Sequence, residues 1–405
     1  MSGDILFLAH RIPYPPDRGD KIRSWNLIER LGRSARVHLA AFADDAADAA
    51  HLPALRAAMG GALGEALVEI RAAGRAAAAT RALVEGKPVS LTLFDSEPLR
   101  RFVERRLAGG RIATVFAFSS QMAQFVPARF AGRVLLDFGD VDSAKFAAYA
   151  DQSFGPMRWL WRREAARLAA FEVAAAARAD LVTFVSEAEA ALFRARTGLA
   201  NVRALSNGID LGRFDPAARF ARLSAAERGE RPMLLFTGQM DYPPNVDAVR
   251  WFAREVLPSV PGARFVIAGR APAAAVRRLE SADVAVTGAV ADMRPWLAAA
   301  DVVVAPLRIA RGIQNKVLEA MAMARPVVAS SAAFEGIEAE PGRDLIVADG
   351  AEAIAAAVRR LLRAPREAAA IGTAARALVE ADYGWERRLA PLDDWVSPRE
   401  GRAAA

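Results

Sequence analysis

Lys316 and Glu319 stand three positions apart, just past Gly312, in a stretch that runs from Pro306 through Arg308, Ile309, Ala310 and Arg311 into an apolar helix pattern. That spacing puts both side chains on one helix face. The stretch follows the strand-like segment 301–305, so a glycine at the helix mouth aims free N–H groups and the positive dipole end at a ligand. An ammonium there suits a diphosphate, and a carboxylate beside it suits hydroxyl donors such as those of a ribose. Arg308 and Arg311 add charge. The same spacing also fits a plain intrahelical ion pair worth roughly 0.2–0.5 kcal/mol.

A second candidate is the loop His10, Arg11, Ile12, Pro13, Tyr14, Pro15, Pro16, Asp17, Arg18, Gly19, Asp20, Lys21, which leads from a first strand into a helix. Prolines stiffen it, Gly19 allows close backbone approach, and Lys21 and Arg23 add positive charge, as a phosphate site requires. A rigid turn with Asp20 as N-cap and a solvated basic first turn fits equally. The three-glycine dinucleotide spacing is absent. A third is Asp137-Phe138-Gly139-Asp140-Val141-Asp142-Ser143. Its Asp-x-Asp pair can chelate a divalent metal on a nucleotide or form a helix cap and turn; the expected use is contact with an acceptor through Asp140, Asp142 or Ser143. Residues 156–177 carry Trp159, Leu160 and Trp161 among Arg158, Arg162, Arg163 and Arg167. Inward tryptophans with solvated arginines explain this stretch, and so does contact with an anionic membrane surface.

These residues need a scaffold. At 405 residues the chain exceeds the roughly 250–300 at which one core stops growing, so two domains are expected. Composition is globular, with 53% hydrophobic and 25% charged residues. The absence of cysteine excludes disulfides, thiolate nucleophiles and cysteine-ligated metals. The net charge of +7 is nearly all arginine, scattered through alanine-rich helices and not gathered into an aromatic-studded stripe, which argues against nucleic acid. No apolar run reaches a membrane span, and residues 4–9 read as a strand and not a signal.

Apolar runs alternate with helical patterns, which implies parallel sheets covered by helices. Strands are expected at 4–9, 36–42, 66–70, 113–118, 133–138 and 181–185. A second series is expected at 233–237, 263–268, 284–287, 301–305, 326–329 and 344–347. The expected domains are 1–205, 206–382 and a tail, 383–405, able to return to the first domain. Two Rossmann-like doubly wound α/β domains then face an interdomain cleft at the carboxyl ends of their strands.

The stretch from Gly312 through Lys316 and Glu319 to Met321, with Pro326, Val327 and Val328, resembles the donor-site helix of family 4 (group 1) GT-B glycosyltransferases. Ser206 to Asp210 with Phe214 resembles that family's interdomain turn, and Phe236 to Met240 its glycine turn. The helix at 245–258 and Ile267 to Arg270 fit the same pattern. The N-terminal loop and Asp137 to Ser143 resemble more narrowly the sugar transferases of exopolysaccharide and PEP-CTERM loci. Two departures stand out. Arg311 occupies the position of the family's first glutamate, thought to touch the donor sugar. Gln239 and residues 241–245 replace its usual Arg and Lys, leaving Lys316, Arg270, Arg308 and Arg311 to neutralise a diphosphate.

The resemblance implies a metal-independent, retaining glycosyltransferase in exopolysaccharide synthesis, with no cofactor beyond its nucleotide-sugar co-substrate. Its expected catalytic residues are Lys316, Arg270 and Glu319. Donor contacts are expected from Gly19, Asp20, Gly238, Gln239, Arg308, Arg311, Gly312, Lys316 and Glu319, and acceptor contacts from His10, Lys21, Asp140, Asp142 and Ser143. Expected partners are a nucleotide-diphosphate sugar and a glycan or lipid-linked acceptor, and the expected location is the cytoplasm, peripheral at the inner face of the membrane. A nucleotide-sugar epimerase and a non-catalytic nucleotide-sugar-binding protein are the competing readings.

Overall fold

The computed structural model describes residues 3–71, 74–310 and 313–396. The chain divides into two compact units, Met1–Ser206 with Leu389–Ala405, and Asn207–Arg388.

The first unit is built on seven strands: β1 (Asp4–Ala9), β2 (Val37–Ala43), β3 (Leu63–Ile70), β4 (Ile112–Phe118), β5 (Arg133–Gly139), β6 (Leu181–Phe184) and β7 (Val202–Ala204). Their order is β3-β2-β1-β4-β5-β6-β7, and neighbouring strands pair parallel. Every residue of β2 is buried, so the strand shows no polar alternation, as expected where helices cover both faces. The edge strand β7 lies outside the expected set because three residues are too short to carry a periodic signal. Phe7 and Phe116 stack at 5.3 Å across β1 and β4, while Phe138, Phe184 and Phe193 form a second aromatic knot.

The second unit has six strands: β8 (Met233–Thr237), β9 (Arg264–Ala268), β10 (Val284–Gly288), β11 (Val302–Ala305), β12 (Val327–Ala329) and β13 (Ile346–Val347). Their order is β10-β9-β8-β11-β12-β13, again with parallel pairing. The core is closed by Phe236, Phe252 and Phe265, the last two 4.6 Å apart.

Residues 383–388, expected in the tail, group with the second unit. Buried Tyr383 accepts the Glu338 N–H at 2.5 Å through its hydroxyl and the Ile209 N–H at 2.7 Å through its carbonyl. The helix Trp385–Val396 then carries the chain into the first unit, where Leu389 and Leu392 are buried and Arg30 Nε donates to Asp393 at 2.8 Å. Among the described residues no helix is long and apolar enough to cross a membrane.

Candidate functional site

In the second sheet the strand order reverses between β8 and β11, the place where open α/β sheets bind ligands at their carboxyl ends. Gly238 follows β8 and Gly269 follows β9, with φ of +152° and +151°. A Cβ on Gly269 would lie 1.7 Å from the Gly238 carbonyl oxygen, and one on Gly238 would lie 2.8 Å from Asn245 Nδ2. Only glycine allows the two loops to close on each other this tightly. The Met240 N–H donates to the Arg270 carbonyl at 2.9 Å, and Arg270 Nη2 reaches Gln239 Oε1 at 3.3 Å.

Lys316 enters this corner from the first turn of the helix Asn315–Ala322, which follows β11. Its Nζ donates to Asn245 Oδ1 at 2.6 Å and lies 4.4 Å from the centre of the Phe236 ring. Asn245 is in turn oriented by its Nδ2 bond to the Gln239 carbonyl at 2.9 Å. Burial pushes the Lys316 ammonium down to about 7, against the opposing pull of Glu319. Burial likewise pushes Glu319 up to about 7, although Arg213 and Lys316 oppose the shift. Thr237 Oγ1 and Asn315 Oδ1 are buried without a hydrogen-bond partner among the described residues, so polar capacity is left over along β8 and at the helix mouth. The corner can hold a compact anion on Lys316, with Glu319 as an acceptor one helical turn along.

The structure therefore brings together Gly238, Gln239, Arg270, Lys316 and Glu319. Arg308 is exposed, and its Nε is bound to Asp247 at 2.8 Å. Arg311 and Gly312 lie outside the described residues. The sequence reading assigned no role to Asn245, Phe236 or Arg213. Asn245 is 71 residues from Lys316 in sequence, so only the fold pairs them.

In the first unit the reversal falls between β1 and β4. His10, just past β1, packs its ring 5.3 Å from Phe118 and 5.9 Å from Phe94. Its Nε2 is 3.2 Å from Asp20 Oδ2, and its Nδ1 is buried without a partner among the described residues. Asp20 also receives Arg11 at 2.6 Å and Arg18 at 2.8 Å. Burial opposes ionisation there, yet these contacts with His10, Arg11 and Arg18 hold the carboxyl well below the usual range.

Three expectations are corrected here. Asp20 is not the N-cap of the helix Gly19–Ser34; Arg18 occupies that position, and Gly19 and Asp20 lie within the first turn. Lys21 is buried against Asp48, and Arg23 is buried against Asp137 at 2.6 Å, so this turn is not a solvated basic surface and Lys21 offers no free charge to an acceptor. Ser143 is also buried; its N–H donates to Glu172 Oε1 at 3.2 Å and its Oγ to Oε2 at 2.5 Å, which turns its hydroxyl inward.

Asp140 and Asp142 do stand together at the end of β5. Asp142 accepts Gln121 Nε2 at 3.1 Å, and the Val141 N–H donates to Glu189 at 2.7 Å. Burial, with Glu189 and Asp142 nearby, raises Asp140 to about 6. Burial raises Glu172 to about 8 although it accepts both Ser143 bonds. Among the described residues no three His, Cys, Asp or Glu side chains converge as metal ligands.

Two Rossmann-like units of this strand order in one chain constitute the GT-B fold. Residues 231–364 match the family described as "Glycosyl transferases group 1". The chain is 30% identical over 236 residues to a GDP-mannose-dependent alpha-(1-6)-phosphatidylinositol monomannoside mannosyltransferase of Mycobacterium tuberculosis, a match covering 54% of this chain and 61% of that protein. The chain thus spans less than two thirds of that relative. Sucrose-phosphate synthase from Thermosynechococcus elongatus superposes with a TM-score of 0.70 at 17% identity, over 97% of this chain and 98% of that one. HepE from Anabaena in complex with UDP-glucose superposes with a TM-score of 0.66 at 15% identity, over 97% and 99%. At these identities the shared property is the fold.

Proposed function

We propose that this protein is a glycosyltransferase that binds a nucleoside-diphosphate sugar in the second unit and passes the sugar to a glycan or lipid-linked acceptor at the inner face of the membrane, in exopolysaccharide synthesis. The observation that carries the reading is Lys316, held 2.6 Å from Asn245 Oδ1 at the strand-order reversal and beside the glycine-closed loops of β8 and β9. When the bond from the anomeric carbon to the diphosphate breaks, negative charge grows on the departing phosphate. A fixed ammonium, the N–H groups at the mouth of the Asn315–Ala322 helix and Arg270 stabilise that charge without reorganising. Because these groups already supply positive charge, the reaction needs no metal. Glu319 accepts hydroxyl hydrogen bonds from the donor, and Asp140, raised toward neutrality, is suited to an acceptor hydroxyl. The resemblance to retaining enzymes supports attack from the leaving-group side.

GDP-mannose, on which the mycobacterial relative depends, is the first donor to try, followed by UDP-glucose, which HepE binds. Nucleotide release is measured from GDP-, UDP-, ADP- and TDP-sugars, with and without chelator and membrane lipid extract. Release that persists in chelator and rises with extract supports the proposal. Loss of release in chelator contradicts metal independence. Isomerised sugar without acceptor indicates an epimerase, and tight nucleotide binding with no turnover indicates a binding protein.

A further inference from the structure

The helix Gly155–Ala176 and the turn before it expose several large apolar side chains. Phe154 is 86% exposed, Trp159 59% and Met157 47%. The turn is not loose, because Phe146 stacks on Trp161 at 5.5 Å and Tyr149 closes on the same ring at 5.8 Å, pinning this helix to the preceding one, Asp142–Asp151. Of the two tryptophans, Trp161 therefore serves packing and Trp159 does not. Arg163 donates to the carbonyls of Ala82 and Lys87 at 2.9 and 3.0 Å, which sets the end of the helix Arg75–Glu85 alongside and brings Val84, 85% exposed, to the same neighbourhood.

The charges on this helix are sorted by face. Its two acids, Glu164 and Glu172, are buried: Glu164 accepts the N–H groups of Val89 and Ser90, and Glu172 accepts from Ser143. Arg158, Arg162 and Arg167 are exposed, and among the described residues no carboxylate pairs with them. One turn past Arg163, Arg167 joins Lys87, Arg100, Phe171 and Arg178 along a groove of about 470 Å³, which also contains Asp95, itself paired with Arg100 at 2.9 Å. Bulky aromatic and thioether side chains projecting from a rigid turn, ringed by unpaired arginines, match the apolar boundary and anionic headgroups of a bilayer.

We infer that this face, led by Phe154, Met157 and Trp159 with Arg158, Arg162 and Arg167, docks the protein on an anionic membrane surface, with lipid headgroups against the basic groove. The inference stands on the first unit alone and does not rest on the transferase reading. The test is co-sedimentation of the full chain with vesicles of phosphatidylglycerol and phosphatidylethanolamine, against pure phosphatidylcholine, over a salt series. Wild-type protein partitions onto the anionic vesicles and is released by salt. The F154E/W159E variant abolishes binding, and the R158A/R162A/R167A variant lowers it roughly a hundredfold. Both variants alter solvated side chains, and an unchanged circular dichroism spectrum and unchanged thermal transitions show that they remain folded. Equal binding to neutral vesicles, or wild-type binding by both variants, overturns the proposal. So does a dimer in solution that F154E/W159E dissociates, which would make the face a contact between two copies.

Discussion

Lys316 is the residue on which the proposed chemistry depends most. Its ammonium is fixed by Asn245 and set against the Phe236 ring, so it is preorganised for charge that develops on a leaving phosphate. Replacing it with alanine is expected to reduce kcat roughly a hundredfold with little change in the circular dichroism spectrum. Near-normal turnover would remove Lys316 from the mechanism. The pH dependence follows from the same burial. Above about 7 the free protein holds mostly neutral amine, whereas a bound diphosphate favours the ammonium, so affinity falls with rising pH and binding takes up protons. Below about 7 Glu319 becomes neutral and loses acceptor strength, so affinity falls on that side too. Nucleotide affinity should therefore peak near neutrality. Calorimetry in buffers of different ionisation heat measures the proton uptake, and Lys316→Met should abolish the alkaline fall.

At the scale of elements, the ends of β8 and β9 close on each other because neither Gly238 nor Gly269 has a side chain. Gly269→Ala places a methyl group 1.7 Å from a carbonyl oxygen at a φ that L-residues avoid, so stability is expected to drop by about 3 kcal/mol and nucleotide binding with it. Urea denaturation measures the first effect and fluorescence titration the second. The start of the Asp142–Asp151 helix behaves differently, since Glu172 from the next helix receives Ser143. Its pKa is raised from 4.5 to about 8, so it is favoured protonated in the folded state. The stability this contributes is full below about 4.5 and is lost as pH rises through about 8. Glu172→Gln keeps the shape without the charge. It is expected to raise the urea midpoint at pH 8 relative to wild type and leave it nearly unchanged at pH 4.5.

For the molecule as a whole, the telling feature is that the helix Trp385–Val396 returns the chain to the first unit. Stopping after Arg388 removes the buried Leu389 and Leu392 and the Arg30–Asp393 pair from the first unit. Two buried leucines are worth roughly 4 kcal/mol together, so the first unit's thermal transition should fall by several degrees. Nucleotide binding by the second unit should persist. In the full chain, nucleotide at roughly 100 times its Kd should stabilise the second unit by about 2.7 kcal/mol, raising only one of two calorimetric transitions. A single transition that moves with both perturbations would show that the two cores unfold together.

The architecture was legible along the chain because parallel sheets covered on both faces leave long apolar runs separated by helical periodicity. Twelve of the strands carry that signal, whereas β7, three residues at a sheet edge, does not. Lys316 and Glu319 were equally legible, since helical spacing and a preceding strand are local properties. Their partners were not. Asn245, Phe236 and Arg213 come to the site only when sequentially distant segments meet at the strand-order reversal. Burial, a property of the packed fold alone, decided which charges remain available. It tied Lys21 to Asp48 and Arg23 to Asp137, turned Ser143 inward toward Glu172, and shifted Lys316 and Glu319 toward neutrality. Residue type and spacing name the groups a chain can use. The low dielectric of the interior, and which opposite charge lies within reach there, decide which of them are left for a ligand.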